Sequence, residues 1–126
     1  MTASGLTFDT GMLIALERRA QRAWNVYREA MRHKVPITVP AAVLVEWWRG
    51  RTDTRERIRA GLRVEWLSES LAEVAGEALA AVRGATVVDA IVMASAASRG
   101  DVVYTGDLKD LERLRSYFPG VRVLGA

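Results

Sequence analysis

Short apolar runs alternate with longer helical patterns along this 126-residue chain. Strands are predicted over residues 5–9, 35–39, 63–67, 101–105 and 121–125, where β-branched residues lie between prolines and glycines. Strand–helix–strand alternation requires right-handed crossovers and favours a mainly parallel sheet covered on both faces. The sequence therefore predicts one α/β domain over 1–126, a three-layer α/β/α sandwich with a mainly parallel five-stranded sheet.

The helical segments can be placed from apolar spacing and end signals. Residues 12–32 have apolar positions at helical spacing, and a break near Arg18 and Arg19 predicts two helices. Pro40 is suited to the start of the next helix, which is expected to end near Gly50. Trp66 and Tyr104 are assigned to the core.

Four acidic residues stand in or directly after apolar segments. Asp9 follows the first predicted strand and Asp107 follows the fourth, while Glu46 and Asp89 are placed in the first turns of two apolar helices. Acidic side chains in apolar surroundings are costly unless they are paired or bind a metal. Because ligands gather at the carboxyl ends of parallel strands where the strand order reverses, adjacent first and fourth strands would bring Asp9 and Asp107 together.

Each acid also has a purely structural explanation. Asp9 and Asp107 are suited to capping the helices that follow them, and Asp89 to stabilising a helix N-terminus through the helix dipole. Glu46 is consistent with a solvated helix face. Four independent coincidences are less plausible than one shared site, and carboxylate oxygens suit Mg²⁺ or Mn²⁺. Such ions activate a water molecule for phosphodiester hydrolysis without a protein nucleophile.

The composition limits the other possibilities. The chain has no cysteine, which excludes disulfides and thiolate chemistry, and its single histidine, His33, is expected at the surface. The net charge of +3 comes almost wholly from arginine and suits an anionic substrate, although a coding bias towards arginine explains it equally well. With no signal-peptide pattern and no run of roughly 18 apolar residues, a cytoplasmic protein without membrane association is expected.

The acids and their flanking residues resemble the PIN-domain nucleases, in particular the VapC-type toxins of toxin–antitoxin pairs. The matching segments, which span nearly the whole chain, are LTFDT at 6–10, VPAAVLVE at 39–46, VDAIVMA at 88–94 and YTGD at 104–107. The resemblance implies a PIN-like fold and a Mg²⁺- or Mn²⁺-dependent endoribonuclease. It also implies an RNA substrate, a cognate antitoxin and a homodimer.

The resemblance also implies roles for individual residues. Asp9, Asp89 and Asp107 would bind the metal, and Glu46 would be a ligand or a base that orients the attacking water. Thr10 and Thr105 match small polar positions beside the family's site. Two departures are visible: Thr10 stands where many members have Ser or Asn, and Gly106 replaces a polar residue. Asp110, one turn after Asp107, is a further possible ligand.

Three alternatives remain open from the residues alone. Haloacid-dehalogenase-like phosphatases and phosphoacceptor receiver domains also have an aspartate after the first strand, but the former need a second one where this chain has Gly11. A PIN-like RNA- or protein-binding module without a metal is a non-enzymatic alternative. For a partner, helices at 12–32 and 41–61 have enough apolar residues to suggest a groove for an antitoxin helix, namely Leu13, Leu16, Trp24, Val43 and Trp47.

Overall fold

The computed structural model of the protein describes residues 5–126. In chain order the elements are β1 (Leu6–Phe8), α1 (Thr10–Glu17), α2 (Gln21–Arg32), β2 (Ile37–Pro40), α3 (Ala41–Trp47), α4 (Asp53–Ala60), β3 (Arg63–Glu65), α5 (Glu69–Ala81), α6 (Val87–Arg99), β4 (Val102–Thr105), α7 (Leu108–Arg115) and β5 (Arg122–Gly125). All five predicted strands are present within two residues of their predicted bounds. No helix in residues 5–126 is long and apolar enough to cross a membrane.

The five strands form one parallel sheet in the order β3-β2-β1-β4-β5. The first strand is therefore central, and the chain winds outwards from it in both directions. Leu6, Thr7 and Phe8 of β1 pair with Val102, Val103 and Tyr104 of β4. β1 and β4 are adjacent, as predicted. The strand order reverses between them, so their carboxyl ends form the crevice in which such sheets bind ligands.

Helices cover both faces of this sheet. The Thr7 side chain points towards α6, where Arg99 donates a hydrogen bond to its hydroxyl group. The opposite face presents Leu6 and Tyr104, which line a groove together with Val26 of α2. The predicted three-layer α/β/α architecture is confirmed.

The break between α1 and α2 lies where the sequence predicted it. Arg19 adopts a left-handed backbone conformation with φ of 60°, which ends the first helix, and Gln21 begins the second. The next helix is shorter than predicted: α3 ends at Trp47, because Trp48 has a ψ of 84° and leaves the helical region. Glu46 therefore lies in the last turn of α3, and its predicted place in a first turn is wrong.

Most of the large apolar side chains belong to one core around the central strand. Leu13, Leu16 and Val43 are fully buried and Trp47 is 2% exposed, so these residues face the core and do not line a groove for a partner helix. Trp66 follows the edge strand β3 and is 84% exposed, which makes its assignment to the core wrong. Tyr104 is partly buried and packs edge-on against Phe8, with ring centroids 6.3 Å apart.

A buried polar network centred on Arg99 ties the sheet to α6. The Arg99 guanidinium forms ion pairs of 2.9 Å with both Asp101 and Glu65, and it also donates to the Thr7 hydroxyl. Asp101 is 5% exposed and precedes β4, whereas Glu65 belongs to β3. Because each charge has an opposite partner, the network holds three strands to one helix without leaving a buried charge unpaired.

Candidate active site

Asp9 lies at the carboxyl end of the central strand and is 8% exposed. It is the N-cap of α1, where its Oδ1 accepts a hydrogen bond of 2.8 Å from the backbone N–H of Met12. Burial raises the pKa of this carboxyl group, and hydrogen bonds from Thr105, Met12 and Gly106 offset part of that rise. One carboxylate oxygen therefore caps the helix, as the structural explanation required, and the other accepts a hydrogen bond from Thr105 of β4.

Thr105 connects the ends of β1 and β4. Its fully buried hydroxyl group donates a hydrogen bond to Oδ2 of Asp9 and accepts one of 2.9 Å from the backbone N–H of Asp107. Because the hydroxyl is held from both sides, it fixes the orientation of the Asp9 carboxylate. The contact places Thr105 beside Asp9, and the supporting role that the resemblance implies for Thr105 stays a prediction.

Two glycines allow the ends of the same two strands to approach each other. A Cβ atom on Gly106 would lie 2.7 Å from the backbone carbonyl carbon and oxygen of Gly11, which is closer than real Cβ contacts. A Cβ on Gly11 would lie 3.1 Å from the backbone of Gly106. Gly106 therefore replaces the family's polar residue in a place where this chain has no room for a side chain.

Asp89 lies in the first turn of α6, as predicted, and its side chain is half-buried. The Thr86 hydroxyl caps the helix by accepting a hydrogen bond of 3.2 Å from the Asp89 backbone N–H. The pKa of the Asp89 carboxyl group is raised to about 6, chiefly by burial and also by the negative charges of Asp9, Asp110 and Glu46, while a hydrogen bond with Thr86 lowers it. Acids from three other segments of the chain are thus close enough to Asp89 to raise its pKa.

Glu46 is exposed and is held by Thr10. The Thr10 hydroxyl donates a hydrogen bond of 2.6 Å to Oε1 of Glu46, which joins the start of α1 to the end of α3. The other carboxylate oxygen has no hydrogen-bond donor within residues 5–126. Glu46 is therefore oriented at one oxygen and available at the other.

Asp107 and Asp110 have different environments at the start of α7. Asp107 is the N-cap of this helix, and its Oδ1 accepts a hydrogen bond of 3.1 Å from the backbone N–H of Lys109. Asp110 lies in the first turn, and its negative charge raises the pKa of both Asp9 and Asp89. No corresponding effect of Asp107 on these two carboxyl groups is found. Of the two acids, Asp110 is the one that the structure brings into electrostatic contact with the buried pair.

These acids have no basic partners in the part of the chain that the structure describes. None of the seven salt bridges within residues 5–126 includes Asp9, Glu46, Asp89, Asp107 or Asp110. The Arg99 network shows that this protein pairs its other buried acid, Asp101, with a cation. Of the five, Asp9 is buried and Asp89 is half-buried, and a divalent cation would compensate their unpaired charges.

The acidic side chains of the candidate site are not arranged as a preformed metal-binding site. Within residues 5–126, no group of three or more acidic or histidine side chains is arranged to hold a metal ion. Glu46 and Asp110 are exposed, so neither side chain is enclosed by packing. The residues fit a Mg²⁺ or Mn²⁺ ion by donor chemistry and by charge.

The sequence interpretation missed one polar contact beside this site. Glu17 accepts a hydrogen bond of 3.0 Å from Nε1 of Trp47 and forms an ion pair of 2.9 Å with Arg55. Both members of the ion pair are largely buried, with side chains 26% and 18% exposed. The only sequence signal was that Glu17 ends an otherwise apolar helix. His33 caps the end of α2 and is exposed, as expected for a surface residue.

Comparison with known proteins supports the fold at low sequence identity. No family model matches the chain, and no curated protein matches it by sequence. Among solved structures, the chain is similar to the DNA-bound VapBC of Salmonella typhimurium, with 20% identity over 98% of this chain and 98% of that chain and a TM-score of 0.72. A toxin–antitoxin complex from Klebsiella pneumoniae has 23% identity over 94% and 95% of the two chains, with a TM-score of 0.70.

A third similar structure is VapBC2 from Rickettsia felis bound to a DNA fragment from its promoter, with 14% identity over 96% and 98% of the two chains and a TM-score of 0.72. In all three comparisons the similarity covers nearly the full length of both chains. The chain therefore has the PIN-like α/β fold of the VapC-type chains in toxin–antitoxin structures, as the resemblance implied.

Proposed function

We propose that this protein is a metal-dependent endoribonuclease and the toxin of a toxin–antitoxin pair. One observation carries the proposal: the charges of Asp9, Glu46 and Asp110 raise the pKa of Asp89, and none of these four acids has a basic partner in residues 5–126. Asp9 lies at the carboxyl end of β1, next to β4. In open α/β sheets this position is the usual ligand-binding crevice. The chain also has the fold of VapC-type proteins.

The proposed metal ligands are Asp9 and Asp89, with Asp110 or Asp107 completing the set. When bound there, Mg²⁺ or Mn²⁺ would supply a water of lowered pKa and positive charge beside the scissile phosphate. Glu46 has one oxygen held by Thr10 and one oxygen available, which suits a base that accepts a proton from the attacking water. Thr105 keeps Asp9 in one orientation, and Thr10 does the same for Glu46.

An antitoxin partner is proposed from the fold and from the kind of complexes that share it. The Salmonella and Rickettsia structures are VapBC complexes, and the Klebsiella structure is a toxin–antitoxin complex. An antitoxin that places a basic side chain among the unpaired acids would neutralise them and block metal binding. A homodimer in the cytoplasm remains part of the same proposal, and size-exclusion chromatography with light scattering would test the dimer.

The central test is cleavage of RNA by the purified protein. We expect cleavage of a mixed cellular RNA in Mg²⁺ or Mn²⁺ and none in excess EDTA, with activity restored when the metal is returned. Water should hydrolyse each cleaved phosphodiester bond, and no covalent protein–RNA intermediate should form. Full activity in EDTA would refute the metal-dependent mechanism, and failure to cleave any RNA with metal present would favour a binding module.

The structure argues against the two other enzymatic alternatives. Receiver domains have the strand order 2-1-3-4-5, whereas this sheet has the order β3-β2-β1-β4-β5. Phosphatases of the haloacid-dehalogenase type need an acid two residues after the first aspartate, where this chain has Gly11. A side chain at that position would contact the Gly106 backbone at 3.1 Å. The missing acid is therefore also sterically disfavoured.

A further inference from the structure

A cleft of about 410 Å³ opens beside the proposed active site, between α1, α3 and α4. Glu46 forms one wall of this cleft, and Arg18 and Arg49 lie on its rim, both exposed. Arg18 directly follows α1, and Arg49 follows α3 by two positions. The cleft therefore joins the acidic site directly to a pair of arginines.

The floor of the cleft is charged but internally balanced. Arg55 forms an ion pair of 2.9 Å with Glu17 and donates a hydrogen bond of 2.9 Å to the backbone carbonyl of Gly50. Trp47 donates a hydrogen bond to the other carboxylate oxygen of Glu17. This buried ion pair leaves no net charge on the floor. Because its members hold one another in place, the floor provides a fixed support for the residues on the rim.

The two rim arginines differ from Arg55 in having no acidic partner. Neither Arg18 nor Arg49 takes part in a salt bridge within residues 5–126. The Arg49 Nε donates a hydrogen bond of 2.9 Å to the backbone carbonyl of Glu46, which leaves its two terminal nitrogen atoms available. The anchored Nε fixes the base of the guanidinium group next to the acid that would activate water.

We propose that Arg18 and Arg49 each bind one RNA phosphate beside the scissile one and together hold the adjoining nucleotides in this cleft. The inference rests on the proposed function and adds where the substrate lies. A polyanion approaching a cluster of acids is repelled unless cations beside the cluster hold it, and guanidinium groups bind phosphate through two parallel hydrogen bonds. The backbone anchor of Arg49 sets the distance between this contact and Glu46, and so determines which phosphate reaches the site.

Binding in EDTA isolates this contact, because cleavage stops and no metal contributes to affinity. The probe is a short, fluorescently labelled single-stranded RNA of mixed sequence, titrated by anisotropy at several salt concentrations. The variants are Arg18→Gln, Arg49→Gln and the double substitution. The matched control is Arg122→Gln, which removes one exposed arginine without a salt bridge at the opposite end of the sheet.

For single strands, each phosphate contact contributes about 0.7 to the slope of log affinity against log salt, so the double variant should lose about 1.4 in slope. At physiological salt this corresponds to roughly a tenfold loss of affinity, shared between the two single variants. In Mg²⁺ the double variant should raise KM by a similar factor and leave kcat nearly unchanged, because the arginines touch the substrate away from the reacting atoms. Arg122→Gln should behave like the wild type.

The outcomes separate this inference from the proposed function. If the wild type cleaves RNA but the double variant keeps the wild-type slope and KM, the cleft does not bind phosphate and only the inference is overturned. If wild-type RNA binding is absent in EDTA while cleavage in Mg²⁺ persists, the inference fails in the same way. If the double variant binds RNA normally but loses affinity for poly-glutamate, the cleft binds an acidic protein segment instead. If the wild type neither binds nor cleaves RNA, both proposals fail.

Discussion

The Thr105 hydroxyl group donates a hydrogen bond to the Asp9 carboxylate across the junction of β4 and β1. These residues are far apart in sequence, yet both are buried, and Thr105 also accepts a hydrogen bond from the backbone of Asp107. The contact makes the orientation of the first acid depend on the turn that begins α7.

Asp9→Asn should remove RNA cleavage while leaving the protein folded. Asparagine keeps the side-chain oxygen that caps α1 but removes the negative charge that a metal requires. Loss of a supporting residue around a metal typically costs 10- to 100-fold, so loss of a ligand should reduce cleavage by at least about 100-fold. The measurement is single-turnover cleavage in Mn²⁺, with Glu73→Gln, an exposed acid on α5, as the control. Wild-type activity in a folded Asp9→Asn protein would rule out a ligand role.

Asp110 and Asp107 should differ in their effect on Asp89. Because the Asp110 charge raises the pKa of Asp89, Asp110→Asn should lower that pKa towards its ordinary value. Asp107→Asn should leave it almost unchanged and should also keep the cap of α7, since asparagine caps as well as aspartate. NMR titration of the Asp89 carboxyl carbon in the metal-free protein measures both effects. A larger shift from Asp107→Asn than from Asp110→Asn would contradict the geometry described above.

Asp89 should make the stability of the metal-free protein depend on pH. Its pKa is raised from 3.8 to about 6, so between these values the folded protein retains a proton that the unfolded chain has released. This stabilisation is complete below about pH 3.8 and is lost as the pH rises through about 6. The melting temperature of the wild type in EDTA should therefore fall over this interval relative to that of Asp89→Asn. If the melting temperatures of the two proteins change with pH in the same way, the pKa of Asp89 is not raised.

Mn²⁺ should stabilise the wild type and stabilise Asp89→Asn less. A ligand that binds only the folded protein adds roughly 2.7 kcal/mol at a hundredfold excess over its Kd, which corresponds to several degrees for a domain of this size. The stabilisation should increase as the pH rises through about 6, because the metal competes with the proton on Asp89. Differential scanning fluorimetry with and without Mn²⁺ tests this. No increase in melting temperature at any pH would mean that the acids do not bind the ion.

Gly106→Ala should destabilise the protein by roughly 1–3 kcal/mol, the usual cost of overpacking. Its new Cβ would lie 2.7 Å from the Gly11 backbone, so the ends of β1 and β4 must separate. Gly76→Ala is the matched control, because a Cβ there meets no atom within 4 Å inside α5. Alanine at that helical position should stabilise by about 0.5–1 kcal/mol. Urea denaturation of the three proteins gives both values, and equal effects would show that the glycine contact is not tight.

The fold was more predictable from the sequence than the details of the site. Buried parallel strands are short apolar runs bounded by turn residues, and this pattern located all five strands. Hydrophobicity alone could not place Trp66, because β3 is an edge strand and the residue after it leaves the sheet towards solvent. Apolar residues such as Leu13 and Val43 suggested a groove for a partner, but both are buried in the core of this small domain.

Within the site, the segments were predictable and the geometry was not. The positions of Asp9 and Asp89 could be predicted, because Asp9 directly follows β1 and Asp89 lies in the first turn of α6. Whether Glu46 lies in a first or last turn depends on where α3 stops, which a local change at Trp48 decides. Asp107 caps its own helix, whereas the Asp110 charge raises the pKa of Asp89, and the sequence spacing alone does not distinguish these two roles. The metal ligands remain a prediction.

The central position of β1 also determines when a newly made chain can assemble the candidate site. Along the chain β1 precedes the other four strands, but it gains its second neighbour only when β4, residues 102–105, has been synthesised. Until then Asp9 has no Thr105 to orient it, and the acid at position 110 does not yet exist. A ribosome-bound chain that lacks these residues therefore has only part of the candidate site. If the protein cuts RNA, it cannot do so before residue 110 has been translated.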